Sequence, residues 1–247
     1  MRKFMGVAVT GLAAVLALAA PAMAVGPKQL LKASISPTKI GAKPKKPVGV
    51  TFNVNPFFDV NSPAGKAEVD AAPFATKKAH VYFDKNFVFN QKAFKTCSAA
   101  TVATAPESCP KGSQVGSGSA IGRALGIEQN DLKVRAYNAP NKHFLLRVDG
   151  TAVLQIHSVI DGVLKGSTGP YGSELLFTIP PGLQTPQEGV TAALVDFKTS
   201  IPAKPTGKAK TSYVTLKACR KGGLNIGYKG EYTDGTSQRI DTKVPCK

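Results

Sequence analysis

Along most of the chain, apolar and polar residues alternate with a period of two, the spacing of a strand with one buried face. In "VGVTFNV", Val48, Val50, Phe52 and Val54 share one face, and Gly49, Thr51 and Asn53 share the other. The same alternation runs through "AHVYFD", "HFLLRVD", the residues around Leu154 and Ile156, "LVDFKTSI", and Val214 with Leu216. In "LKVRAY" it places Leu132, Val134 and Ala136 inward and Lys133, Arg135 and Tyr137 outward. Beyond residue 24 no segment keeps apolar residues at i, i+3, i+4 and i+7, so no amphipathic helix is predicted. The 18 prolines and 24 glycines interrupt the runs at short intervals. This predicts roughly a dozen strands in an all-β, antiparallel β-sandwich, immunoglobulin-like or larger. "PTKIGAKPKKP", "NPFFDVNSPAGKAEVDAAPFATKK" and "IPAKPTGKAK" read as loops, the first and last as Pro-Lys segments unsuited to a sheet interior.

The last hairpin has a register that can be argued. In "LNIGYKGEYTDGTSQRIDTKV" a two-residue Asp234-Gly235 loop would set Ile240 opposite Lys229 and send the apolar residues of the two strands to opposite faces. A three-residue loop, Thr233-Asp234-Gly235 with Gly235 left-handed, pairs Tyr232 with Thr236 instead. Tyr228 then faces Ile240, Ile226 faces Thr242 and Leu224 faces Val244, and this register is the one expected.

The opening "MRKFMGVAVTGLAAVLALAAPAMAVG" breaks the alternation. Basic Arg2 and Lys3, an apolar run and "AMA" ending at Ala24 predict a secretory signal over residues 1–24 and an exported domain over 25–247. The alternative division has two lobes meeting near residues 124–131, "ALGIEQND". No cysteine near the cleavage point predicts a lipid anchor, and "DTKVPCK" is not a sorting signal. No transmembrane segment is expected after cleavage. Loss of the signal leaves 30 basic residues against 15 acidic ones, a net charge of +15. Such a charge draws a protein to polyanions and says nothing about its fold.

In an oxidising compartment four cysteines read first as disulfides. Three pairings are open, and proximity favours Cys97 with Cys109 and Cys219 with Cys246. Their spacing lacks the C-x-x-C clustering of a zinc site. His80 and His157 fall on the polar phase of their strands and His143 follows a turn-like "APNK", which suits solvated histidines. Gly116, Gly118 and Gly122 in "GSQVGSGSAIG" miss the G-x-G-x-x-G spacing of a phosphate-binding loop, and no G-x-S-x-G elbow occurs. Asp149, Asp161 and Asp234 each precede glycine and read as turn residues, leaving Glu128 and Asp131 the only closely spaced acids outside loops and turns. With no tryptophan, and Tyr171 in "TGPYGS" placed at a loop tip, support for a saccharide platform is weak. No catalytic residue, metal ligand or cofactor is therefore assigned.

The order "FDKNFVFNQKAFKTCS", "CPKGSQVGSGSA", "GPYGSELLFTIPPGL", "ACRKGG", "YTDGTSQ" and "VPC" resembles a group of uncharacterised secreted β-rich proteins of high-GC Gram-positive bacteria. The resemblance spans about Lys39 to Cys246. It implies that the Cys-Pro-x-x-Ser-x-Val-Gly turn closes the first cysteine loop and leads into a strand over Cys109 to Ala120. It implies location and architecture and no activity.

The remaining functional signal is charge. "KIGAKPKKP" carries Lys39, Lys43, Lys45 and Lys46, and "IPAKPTGKAK" carries Lys204, Lys208 and Lys210, both without an acid. The expectation is a secreted or envelope-associated, non-enzymatic protein that docks on anionic wall or membrane-surface polymers through these lysines. Nucleic acid is the lesser partner, since no aromatic residues interleave the basic runs. The alternative is an extracellular hydrolase whose carboxylates meet only in the fold.

Overall fold

The computed structural model describes residues 28–41, 44, 46–59, 75–204 and 211–247. The expected signal peptide lies outside the described residues, as does the centre of the loop at 60–74. The strands are β1 (Gln29–Ser36), β2 (Val48–Gly49), β3 (Thr51–Phe58), β4 (Thr76–Asp84), β5 (Phe87–Phe89), β6 (Gln114–Ala124), β7 (Ile127–Asn138), β8 (His143–Gly150), β9 (Ile156–Gly166), β10 (Tyr171–Thr178), β11 (Ala193–Ile201), β12 (Val214–Leu216), β13 (Leu224–Tyr232) and β14 (Ser237–Val244). Two short helices, α1 (Ala99–Thr104) and α2 (Pro181–Gln184), sit in connections.

The chain is all-β and antiparallel, as the alternation predicts. The two layers of the sandwich are the halves of one eleven-stranded sheet, ordered β1-β3-β11-β6-β7-β8-β9-β10-β4-β13-β14 and curled towards closure. Gln29 joins the two edges. Its backbone N–H donates to Gln238 Oε1 on β14 at 2.8 Å, and its own Oε1 accepts from the Tyr232 hydroxyl at 2.9 Å. Inside, Leu132, Val134 and Ala136 point inward as expected, packed with Phe52, Val81, Phe144 and Ile226 in one core. The segment 124–131 holds the end of β6, the hairpin turn Leu125-Gly126 and the start of the neighbouring strand β7.

A second sheet, β2-β12-β5, lies at the end where β3 starts and β4 stops. It explains why "VGVTFNV" is two strands. At Val50 the chain leaves the small sheet for the large one, its N–H donating to Val214 O at 3.1 Å. Aromatic rings fill this end edge-to-face, with Phe83 and Phe89 centroids 4.8 Å apart and Phe94 and Tyr213 5.2 Å apart, the geometry that aligns ring edges with ring faces. Both disulfides, Cys97–Cys109 and Cys219–Cys246, are here too, and we call it the disulfide end. Their pairing is the one that proximity favours.

The stapled loop between β5 and β6 does more than close on itself. Ser98 caps α1 by accepting from the Thr101 N–H at 3.1 Å, a helix that the alternation did not predict. Val102 and the disulfide then pack on Tyr137, Leu145 and Val159, forming a small core on the outer face of β7, β8 and β9. Tyr137, expected to face solvent, is therefore buried. After Cys109 the chain turns once and enters β6, as the resemblance implies. The glycines of β6 serve close packing: a Cβ on Gly118 would overlap the Lys198 carbonyl of β11.

The final hairpin has the three-residue loop. Tyr232 N–H donates to Thr236 O at 3.0 Å, Gly235 has φ 86°, and Tyr228 faces Ile240, Ile226 faces Thr242 and Leu224 faces Val244. Gly235→Val should lower stability by about 1–2 kcal/mol, since a β-branched residue is strained at positive φ. Urea unfolding of the variant with an unchanged midpoint would argue against that account.

Candidate functional site

In an antiparallel sheet, successive connections alternate between its two ends. Ser36 pairs with Thr51, and Ile201 with Phe52, so the loops leaving β1 and β11 emerge side by side at the disulfide end. These are the two lysine-bearing loops of the sequence. Lys39, Lys46 and Lys204 are exposed there. Lys43, Lys45, Lys208 and Lys210 belong to the same two connections and lie outside the described residues. Hydrogen bonds anchor both loops: Ala203 N–H donates to Thr51 Oγ1 at 2.9 Å, and Lys247 N–H to Thr38 O at 2.7 Å.

The fold adds lysines that sequence reasoning missed. Lys85 in the β4–β5 turn, Lys92, Lys95 and Lys111 in the stapled loop, Lys142 in the β7–β8 turn, Lys217 and Lys221 before β13, and Lys247 are all exposed at this end. Asn138 holds the stapled loop in place, its Nδ2 donating to the carbonyls of Gln91 and Lys95 at 3.1 Å. Among the described connections at this end the only acid is Glu107. Asp84, at the tip of β4, is fully buried and turned inward, accepting from both nitrogens of Asn86 and of Asn225 and facing Arg220 at 3.5 Å. At the opposite end the described connections carry Asp59, Glu188 and Asp234, with Lys28 beside them at the start of β1. The signal for this segregation was available: alternate connections, taken together, separate the bases from the acids.

Two grooves open on the disulfide end. One, of about 820 Å³, is bordered by Asn90, Lys92, Asn141, Lys142 and Lys165. The other, of about 680 Å³, is bordered by Arg220, Lys221, Lys243 and Lys247. Among the described residues that line them neither has an aspartate or glutamate, and both offer ammonium groups, a donor-rich surface suited to phosphate or carboxylate oxygens.

Asp149, Asp161 and His80 are placed differently from the sequence expectation, whereas His143 and His157 are exposed as expected, at 38% and 47%. Asp149 and Asp161 lie within β8 and β9 rather than in turns, and only Asp234 is a turn residue. Gly162 follows Asp161 because its inner face abuts the Phe177 ring, leaving no room for a side chain. Asp149 receives Arg147 and Arg135 from β8 and β7 and His157 from β9, at 2.8–2.9 Å. Burial pushes its carboxyl up, but these hydrogen bonds outweigh burial and bring it down to about 2. Arg147 also donates to the carbonyls of Val102 and Ala103, fastening α1 to the sheet.

His80 is not solvated. Its side chain is 11% exposed, with Nδ1 2.6 Å from Glu174 and Nε2 3.3 Å from Glu231 on the outer face of β4, β10 and β13. Lys229 Nζ lies 2.7 Å from the same Glu231 oxygen and holds that carboxyl below the usual range. Tyr171 is likewise no loop tip. It opens β10, donates to Asp241 at 2.7 Å, and lies under the Arg239 guanidinium beside Tyr82. Burial and the bond to Asp241 raise its hydroxyl to about 12.

Comparison of the chain with protein-family models, curated proteins and solved structures finds no match.

Proposed function

We propose that this is an exported, non-enzymatic binding protein that docks on anionic envelope polymers through its disulfide end. The observation that carries this reading is the gathering of eleven exposed lysines in the described connections of one end, where Glu107 is the only acid that those connections carry. Mobile ammonium groups suit an irregular polyanion, because they need no fixed geometry to neutralise it. Two disulfides, and the absence among the described residues of a helix long and apolar enough to cross a membrane, are compatible with an extracellular setting. The hydrolase alternative would rest on Glu174 and Glu231. These meet only across His80 on the outer face of the sheet, and Lys229 favours the charged form of Glu231, opposing the raised pKa that a general acid needs.

Binding to isolated wall polymer should fall steeply between about 50 and 200 mM salt. Replacing Lys39, Lys46 and Lys204 with glutamine should reduce the slope of log affinity against log salt by about one per lysine. The matched change of Lys32, Lys77 and Lys133, which lie on strands, should leave the slope nearly as it was. Equal losses in the two triple variants would mean that net charge alone drives adsorption. Binding indifferent to salt would remove the electrostatic reading.

A further inference from the structure

The interior of the curled sheet is unevenly filled. Two adjoining voids remain, the first reaching from the rings of Phe52, Phe83 and Phe89 near the disulfide end to Pro56 and Ile179, and the second lying towards the other end. The first, of about 70 Å³, is walled by Val54, Val81, Leu146, Leu175 and Phe177 among others. The second, of about 80 Å³, is walled by Leu132, Val148, Ile156 and Leu183. They share Ile160, Ile179, Leu194 and Phe197, so movement of a few aliphatic side chains joins them. Each alone is about half of the ~150 Å³ that admits benzene into an apolar protein cavity. Packed interiors retain few voids of this size.

The walls are hydrocarbon with three exceptions, Thr76 on the second void and two residues on the first. Thr199 Oγ1, on β11, is buried in the first void and makes no hydrogen bond to the protein. Tyr228, on β13, is 3% exposed and lines the same void. Burial pushes the pKa of that phenol well up, so it stays protonated and able to donate. An unpartnered buried hydroxyl is costly, and one that shares an apolar chamber with a phenol is a pattern that a ligand's polar group would resolve. The route in is at the end opposite the disulfides. Ile156, Ile179, Leu183, Leu194 and Phe197 are only partly buried there, and the connection carrying α2 is held mainly to itself, through Gln184 to Ile179 O and Ala192 N–H to Gln184 O.

We propose that the chamber binds one small apolar molecule, about the size of a substituted benzene ring, whose single hydroxyl or carbonyl is held by Tyr228 and Thr199. This site is independent of the lysine end.

Benzene and phenol serve as paired probes, titrated into protein carrying labelled Ile, Leu and Val methyl groups. Both should give saturable shifts at Ile160, Ile179 and Leu194, with phenol bound roughly 3- to 10-fold tighter. Tyr228→Phe with Thr199→Val should keep benzene binding and abolish the preference for phenol. Because this pair keeps the bulk of both side chains, its melting temperature should nearly hold, which separates loss of recognition from loss of fold. Leu194→Phe, which fills the shared wall, should weaken both probes at least tenfold. Absence of saturable shifts up to the solubility of both probes overturns the site. So do shifts that persist unchanged in Leu194→Phe. A phenol preference that survives in the double variant overturns the assigned roles of Tyr228 and Thr199.

Discussion

Replacing both Cys219 and Cys246 with serine is expected to lower stability by about 3.5 kcal/mol, the chain-entropy value for a crosslink spanning 27 residues. The Cys97–Cys109 crosslink spans 12 residues and should contribute somewhat less, about 3 kcal/mol. The first bond carries a further consequence, because the segment it fastens is also the floor of the lysine end. Cys219 N–H donates to Gly41 O at 3.1 Å, and the N–H groups of Ile40 and Gly41 both donate to Lys247 O. Releasing the C-terminus should therefore loosen residues 38–41 and the lysines beside them. Urea unfolding measures the stability change, and amide exchange at Ile40 and Gly41 measures the loosening. A midpoint unchanged from wild type would show that the hairpin holds without its crosslink. Unchanged exchange would show that the strand ends alone hold this corner.

Gly118→Ala should be as damaging, at about 3 kcal/mol or more, although it adds one methyl group. The obstacle is the backbone carbonyl of Lys198, which cannot rotate away as a side chain would. β6 and β11 would have to separate, and seven residues of β11 are registered against β6 across this contact. Gly122→Ala is the internal comparison, because its Cβ would meet nothing nearer than Leu132 Cδ1 at 3.7 Å. A small loss there and a large one at Gly118 would locate the constraint. Similar losses at both positions would indicate only the general preference of strands against or for glycine.

These positions show where the sequence was legible. Alternation reports which face of a strand is buried, so Leu132, Val134 and Ala136 could be assigned inward. The last hairpin was legible in full because two independent constraints, the Thr233-Asp234-Gly235 turn and the facing apolar positions, select one register. Tyr137 was misread because alternation assumes that the outer face meets water, and here a distant stapled loop covers it. His80 and Tyr171 were misread for a related reason: their partners Glu174, Glu231 and Asp241 arrive from strands remote in the chain. Asp149-Gly150 and Asp161-Gly162 look like turns because turns and crowded inner faces both select glycine. The two lysine runs were visible, whereas their union with Lys85, Lys142 and Lys217 required knowing which connections share an end. The chamber had no sequence signal, since a void is a property of how rings and aliphatic groups from ten strands fail to meet.

The separation of bases and acids along the axis makes the molecule an electric dipole as well as a cation. In the field of any negative surface such a body is turned before it touches, and it lands with its lysines leading. The other end then faces outward, and it is there that Leu125 in the β6–β7 turn, Ile127 at the start of β7 and Val153 in the β8–β9 connection stand 78%, 57% and 47% exposed. A wall coated by upright molecules would thus exchange its own charged, wettable face for a carpet of oily tips.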